Sequence, residues 1–192
     1  MDMNHYKLNI HPKSYLDYKP DMKFDVIMGN PPYNEGGVAK GGGVLWKSFV
    51  ENSQLLFVLH GVGSTATTIM TYSQMNKIAD ENGFMVCYPQ GTILSSGQSH
   101  WNANLQMSNI DDIDFLSQLA TKIQSNYKTN TKNTFISGMS NGGFMSYTLG
   151  CEKSDVFKGV ASITGTMSGK DWKNCNPSSK IPVLQISGTN DS

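Results

Sequence analysis

Long apolar runs are missing from this chain, cysteine is scarce, and neither sign of charge is in excess. No stretch approaches the length of a membrane span, and Met1 to Lys13 lacks the apolar run of a secretory leader. Neither a transmembrane segment nor a signal peptide is therefore expected, and no membrane partner. Fifteen basic residues balance fifteen acidic ones with no Lys/Arg run. The electrostatic footprint that drives nucleic-acid binding is thus absent. Three cysteines, Cys87, Cys151 and Cys175, are too few for a disulfide scaffold and match no metal-ligand spacing. Cys87 lies in an apolar run and reads as a packing residue, whereas Cys151 and Cys175 are free to pair in an oxidising compartment. At 192 residues the chain is long enough for one domain of ordinary size, or for a domain with an appendage.

Short apolar runs alternate with longer amphipathic stretches. The runs are Phe24 to Met28, Leu55 to Leu59, Phe84 to Tyr88, Thr134 to Ser137, Gly159 to Thr164 and Val183 to Ser187. They are rich in β-branched or aromatic residues and apolar on successive positions, as strands buried on both faces are. Thr67 to Glu81 and Ile110 to Tyr127 carry apolar residues at three- and four-residue intervals and are predicted helices. Asn109-Ile110-Asp111-Asp112 supplies a cap and early negative charge for the second of them. Asp111, Asp112 and Asp114 then read as helix-starting, solvent-facing charges and not as a metal site. The alternation predicts an α/β class: a three-layer α/β/α arrangement around a mostly parallel sheet. Composition changes near Glu51 to Leu55, which places a boundary between a segment 1–53 and a unit 54–192.

Gly138-Met139-Ser140-Asn141-Gly142 is a G-x-S-x-G pentapeptide between a predicted strand and a helix-like stretch from Gly143 to Leu149. A sharp turn there lifts the Ser140 hydroxyl above the sheet edge, with glycines relieving the crowding. Asn141 then offers its backbone N–H to a developing oxyanion. The strand ending His60-Gly61-Val62-Gly63 brings a second backbone donor, assigned to Val62 or its neighbour. After a later strand, Gly188-Thr189-Asn190-Asp191 supplies a carboxylate in the chain order a serine triad requires. Each piece also has a bland reading: a glycine-rich turn, a terminal carboxylate, a packed His60, and Trp101 and Trp172 that cover core.

The stretches LLFVLHGVGS, IADENGFMVCYPQGT, SHWNAN, NIDDIDFLSQL, ISGMSNGGFMSY, ASITGTM and PVLQISGTND occur in this order between about Leu55 and Asp191. On these motifs the region resembles the polyhydroxybutyrate depolymerase and feruloyl esterase group of α/β-hydrolases. The resemblance implies a carboxylic-ester hydrolase that needs no cofactor and takes a small or polymeric ester. Its implied site is Ser140 as nucleophile, Asp191 as triad acid, the His60–Gly63 loop as oxyanion hole, and Trp101 and Asn102 against the substrate. Hydrolases of this group are often secreted. The group carries its catalytic histidine downstream of the aspartate, and this sequence closes at Ser192. The expectation is an incomplete α/β-hydrolase with impaired activity, in which the strand Val183 to Ser187 presents an unpaired edge for want of the final strand. His60, His100, His5 and His11 are the histidines present, and His100 is the one weighed as a substitute base.

Phe24 to Tyr33 ends in Asn30-Pro31-Pro32-Tyr33 after a strand-like run. Residues from about 6 to 52 resemble the N-P-P-Y region of N6-adenine DNA methyltransferases. The resemblance implies that Asn30 and a proline carbonyl accept the exocyclic amine of a flipped adenine while Tyr33 stacks on it. That alternative brings S-adenosylmethionine and nucleic acid as cofactor and partner. Nothing before Phe24 supplies the glycine-rich loop and acidic residue that hold the cofactor, and the glycines of 36 to 43 match no phosphate loop. Two partial resemblances meeting near residue 53 predict a chimeric chain, a true fusion or an artefact of sequence assembly, whose fold is governed by the hydrolase part.

Overall fold

The computed structural model describes residues 54–189 and the backbone of Val26–Met28. Eight strands and five helices are described: β1 (Val26–Met28), β2 (Leu55–Leu59), α1 (Ala66–Ser73), α2 (Met75–Asn82), β3 (Met85–Pro89), β4 (Thr92–Ile93), β5 (Ser99–His100), α3 (Asp112–Tyr127), β6 (Thr134–Met139), α4 (Asn141–Glu152), β7 (Val160–Ile163), α5 (Gly169–Asn174) and β8 (Val183–Ile186). Six strands form one sheet in the order β1-β3-β2-β6-β7-β8. All its pairings are parallel except β1 with β3, so a short piece of the N-terminal segment adds antiparallel to one edge. The small hairpin β4–β5 forms a second sheet that the residue pattern did not predict.

Successive apolar residues of the central strands point to opposite faces and feed two cores. Leu55, Phe57 and Leu59 of β2 and Met85 and Cys87 of β3 pack with Phe115, Leu116, Leu119 and Ile123 of α3 and with Met145 and Leu149 of α4. Val58, Val86 and Tyr88, one residue out of phase, pack with Ala66, Ile69 and Met70 of α1 and Ala79 of α2. This is the three-layer α/β fold with a mostly parallel sheet. The Cys87 thiol lies in the first core, and burial pushes its pKa well up, which suits the packing role expected of it.

Local chemistry explains the departures. The stretch predicted as one helix over Thr67 to Glu81 is two helices broken at Gln74, which takes φ 55° and ψ 20°. The Ser73 hydroxyl accepts from the Met75 N–H there, an alternative to the helical ladder. Asp111 caps α3 as expected, its carboxylate accepting the Asp114 N–H at 2.9 Å. Asp112 is not solvent-facing: it is 2 % exposed, turned inward to accept the Asn102 N–H. Trp172 covers no core and stands 78 % exposed. Strand β8 lies at the sheet edge as expected, but its faces, whose apolar run reads as buried, are exposed along its whole length, with Val183, Leu184 and Ile186 all more than half open. The motif residues Asn30, Pro31, Pro32 and Tyr33, and the carboxylate of Asp191, lie outside the described residues.

Candidate active site

β6 runs straight into α4, and the joint is Ser140. Its backbone sits at φ 52° and ψ −117°, a conformation that non-glycine residues enter only under constraint. The constraints are visible. The Ser140 N–H donates to the Ile163 carbonyl of β7 at 2.8 Å, and its own carbonyl accepts the Phe144 N–H at 3.0 Å. A Cβ on Gly138 would stand 2.2 Å from the carbonyl of Gly142, and one on Gly142 would stand 2.5 Å from the carbonyl oxygen of Leu59. The elbow closes only because both positions lack side chains. Ser140 is left exposed, and its hydroxyl has no hydrogen-bond partner among the described residues.

The end of β2 lies directly alongside. β2 pairs with β6 down to Leu59 opposite Gly138, so the chain leaving β2 passes the elbow. A Cβ built on Gly61 would be 3.5 Å from the Ser140 Cβ and 4.0 Å from its hydroxyl. Val62 follows at 38 % exposure, and its N–H makes no hydrogen bond among the described residues. Asn141 is the first residue of α4, so its N–H is one of the orphan donors of a helix start. The loop is held from behind by Ser99, whose carbonyl accepts the Gly63 N–H at 2.8 Å and whose hydroxyl donates to the Ser64 carbonyl.

Both described histidines are structural. His60 is fully buried; its Nδ1 donates to the Gly61 carbonyl at 2.8 Å, and Nε2 accepts the Gly91 N–H at 2.9 Å with the Gln90 amide at 3.1 Å. The Gly91 donor fixes the tautomer, with the proton on Nδ1. Burial lowers the His60 pKa, partly offset by the Gly61 carbonyl and reinforced by His100. His100 is 1 % exposed, with Nδ1 donating to the Thr92 carbonyl at 3.0 Å and Nε2 paired with the Ser108 hydroxyl at 2.7 Å. Neither ring is open to Ser140, which removes His100 as a substitute base.

Trp101 and Asn102, the expected substrate contacts, sit in different surroundings. Trp101 is 0 % exposed and forms no open wall: its ring stacks at 5.0 Å on that of His60, and its N–H donates to the His60 carbonyl at 3.0 Å. Asn102 lines a cavity of about 330 Å³ together with Asn104, Ser108, Asp111, Asp112 and Met145. Its amide donates to the Ile110 carbonyl at 3.1 Å, and its buried Oδ1 has no partner among the described residues. The Asp112 carboxyl below is raised above the usual carboxylate range by burial, against the Asn102 N–H and His100, with Asp111 adding to the rise.

One expectation left open is resolved, and one feature escaped the residue pattern. Cys151, at the end of α4, is bonded to Cys175 just after α5. Asp171, 3 % exposed, accepts from Thr148 at 2.7 Å and Asn104 at 2.7 Å and fastens α5 to the same helix. An odd count of three cysteines left the pairing open, and nothing in the sequence around Asp171 distinguishes it from a surface carboxylate. Among the described residues no group of three or more His, Cys, Asp or Glu side chains could hold a metal ion, and no helix is long and apolar enough to cross a membrane.

Comparison with known proteins agrees with this geometry. The family model described as the prolyl oligopeptidase family matches residues 70–185. Feruloyl esterase B of Piromyces equi is 29 % identical over 139 residues, 71 % of this chain and 26 % of its own length. The bifunctional acetylxylan esterase/xylanase XynS20E of Neocallimastix patriciarum is 28 % identical over 140 residues, 73 % of this chain and 19 % of its own length. The chain thus spans about a quarter or less of these curated relatives. The crystal structure of esterase PE8 superposes with a TM-score of 0.57 at 18 % identity, covering 71 % of this chain and 69 % of that one, which shows a shared fold. α/β-Hydrolase esterases of this type need no cofactor. With more than half its residues inside that family model, the chain belongs to the prolyl oligopeptidase family, and its fold is that of an α/β-hydrolase.

Proposed function

We propose that the unit 54–192 is a carboxylic-ester hydrolase that works through an acyl group on Ser140. The observation that carries this is the exposed hydroxyl at the φ 52° elbow, faced by the backbone leaving β2. In the reaction the Ser140 oxygen bonds to the acyl carbon and gives up its proton. The carbonyl oxygen becomes an oxyanion held by the Asn141 and Val62 N–H groups. The C–O bond to the alcohol breaks, the alkoxide leaves with a proton, and water releases the acid from the serine in the same way. Asp191 is the acid partner that would orient a base.

His60 and His100 are committed elsewhere, so neither described histidine is the base. The substrate class is an acyl ester of a small or polymeric alcohol. A feruloyl or acetyl group is supported by the named activities of the two relatives, and a hydroxybutyrate polyester by the motifs alone. The Cys151–Cys175 bond favours an oxidising, extracytoplasmic setting.

The test is release of nitrophenol from 4-nitrophenyl acetate by the protein and by Ser140→Ala. Turnover that disappears with the hydroxyl supports the proposal. Equal rates from both proteins reject it.

A further inference from the structure

The two backbone donors assigned to the oxyanion belong to separate segments, the exit from β2 and the first residue of α4. An oxyanion hole works only when its donors are held at fixed spacing, and a misplacement of about 1 Å can cost on the order of a hundredfold in rate. Some part of the molecule must set that spacing. The pairing of β2 with β6 ends at Leu59 opposite Gly138, and β7 holds the β6 side on to Ser140, so the exit from β2 is left without a strand partner to fix it to α4.

We propose that Trp101 is the positioning residue that ties the two halves of the oxyanion hole together; this rests on the ester-hydrolase reading of Ser140. Trp101 sits on a third segment, directly after β5, and bonds to both halves. Toward α4, its backbone N–H donates to Asn141 Oδ1 at 2.7 Å, and its carbonyl accepts from Asn141 Nδ2 at 2.9 Å. The Asn141 side chain thus pairs with one residue's backbone as a neighbouring strand would. Toward β2, the indole N–H donates to the His60 carbonyl at 3.0 Å, one residue before Gly61 and two before Val62. The His60 ring, itself tied by Nδ1 to the Gly61 carbonyl, stacks on the indole at 5.0 Å.

Packing closes the clamp from the other side. The His60 carbonyl oxygen would stand 2.7 Å from a Cβ on Gly142, so it is held between α4 and the indole. All of this is out of water, with Trp101 and His60 at 0 % exposure and Asn141 at 3 %. Buried hydrogen bonds hold geometry firmly, because the alternative for each group is to go unpaired. A phenylalanine fills much of the same space but has no donor for the His60 carbonyl. Shape alone therefore does not replace the clamp.

The experiment compares the full chain with Trp101→Phe, using 4-nitrophenyl acetate kinetics normalised to reactive serine and amide hydrogen exchange. The proposal expects kcat to fall by about tenfold with KM changed by less than about twofold, the pattern of an interaction felt in the transition state. It also expects the Gly63 amide and the amide of residue 101 to exchange about tenfold faster while the Ile136 amide in β6 keeps its protection. Unchanged kcat, or faster exchange spread equally into β6, overturns the proposal. Asn141→Ala removes both side-chain bonds to residue 101 without adding charge, and should give the same local pattern if Trp101→Phe does not fold. A native protein without Ser140-dependent turnover rejects the hydrolase reading, and the exchange pattern then decides the clamp by itself.

Discussion

The middle of the sheet and its β8 edge are built from the same kind of sequence and end up in opposite states. β2 and β3 carry successive apolar residues that are covered from both sides, and Leu55, Phe57, Leu59, Val86, Cys87 and Tyr88 show 5 % exposure or less. β8 carries Val183, Leu184 and Ile186, apolar in the same way, and each is more than 50 % exposed. The difference is coverage. β2 lies between α1 on one face and α3 and α4 on the other, whereas among the described residues β8 has one neighbour, β7, within the sheet. The elbow sits on the covered side of this contrast, over strands that cannot shift without losing packing on both faces. The geometry of the Ser140 elbow is therefore held by the best-packed region of the described residues.

The strongest way to break that comparison is to crowd the elbow. Gly142→Ala drives a methyl group into the Leu59 and His60 carbonyls at 2.5 and 2.7 Å, and rigid backbone cannot yield as a side-chain tip can. A loss on the order of 4 kcal/mol is expected in urea unfolding. Gly169→Ala, where an added Cβ meets nothing within 4 Å, should stay within about 0.5 kcal/mol.

Next in size is truncation of matched leucines. Leu59→Ala in β2 should cost about 3 kcal/mol, because the site is fully buried and a cavity remains. Leu184→Ala in β8 should cost less than about 1 kcal/mol in the same assay. Similar losses at the two positions would mean that the edge is covered in solution.

Reducing the Cys151–Cys175 bond, or replacing both residues with serine, should lower stability by about 2 to 3 kcal/mol, since the bond closes a loop of 24 residues. Hydrogen exchange should place the resulting opening in α5 and the end of α4, not at Ser140.

The smallest effect is a pH slope. His60 has its pKa lowered in the fold, so between that value and the unfolded 6.5 the unfolded chain binds a proton that the folded one refuses. Stability should therefore fall as pH drops below about 6.5, a slope that His60→Gln removes. Asp112 acts with the opposite sign in a lower window. Its raised pKa makes stability fall as pH rises from 3.8 through the folded value.

Much of the architecture was legible because strand cores covered on both faces leave a plain mark: apolar residues on successive positions. The elbow was legible for a related reason, since Gly138, Ser140 and Gly142 have spacing that few other structures demand. What the sequence did not disclose are outcomes of tertiary context. Val183 to Ile186 were legible as an edge but look buried on their faces, and only the absence of a covering layer among the described residues leaves them open. Asp112 follows a cap and precedes a helix, which normally means solvent, yet the Asn102 N–H draws it inward. Trp101 and Trp172 are chemically identical, and one is a buried clamp while the other is 78 % exposed. Gln74 breaks a helix that periodicity runs through, because the Ser73 hydroxyl offers Met75 a local partner.

The central claim is that Ser140 is presented, by a constrained backbone and an adjacent N–H-lined loop, to an electrophile. Reaction with a fluorophosphonate measures this most directly. The serine oxygen bonds to phosphorus, the P–F bond breaks, fluoride leaves and the hydroxyl proton passes to the buffer. The account predicts one adduct per chain, mapped by mass spectrometry to the peptide containing Ser140 and absent from Ser140→Ala. An adduct on another residue, or labelling that persists in Ser140→Ala, would contradict it.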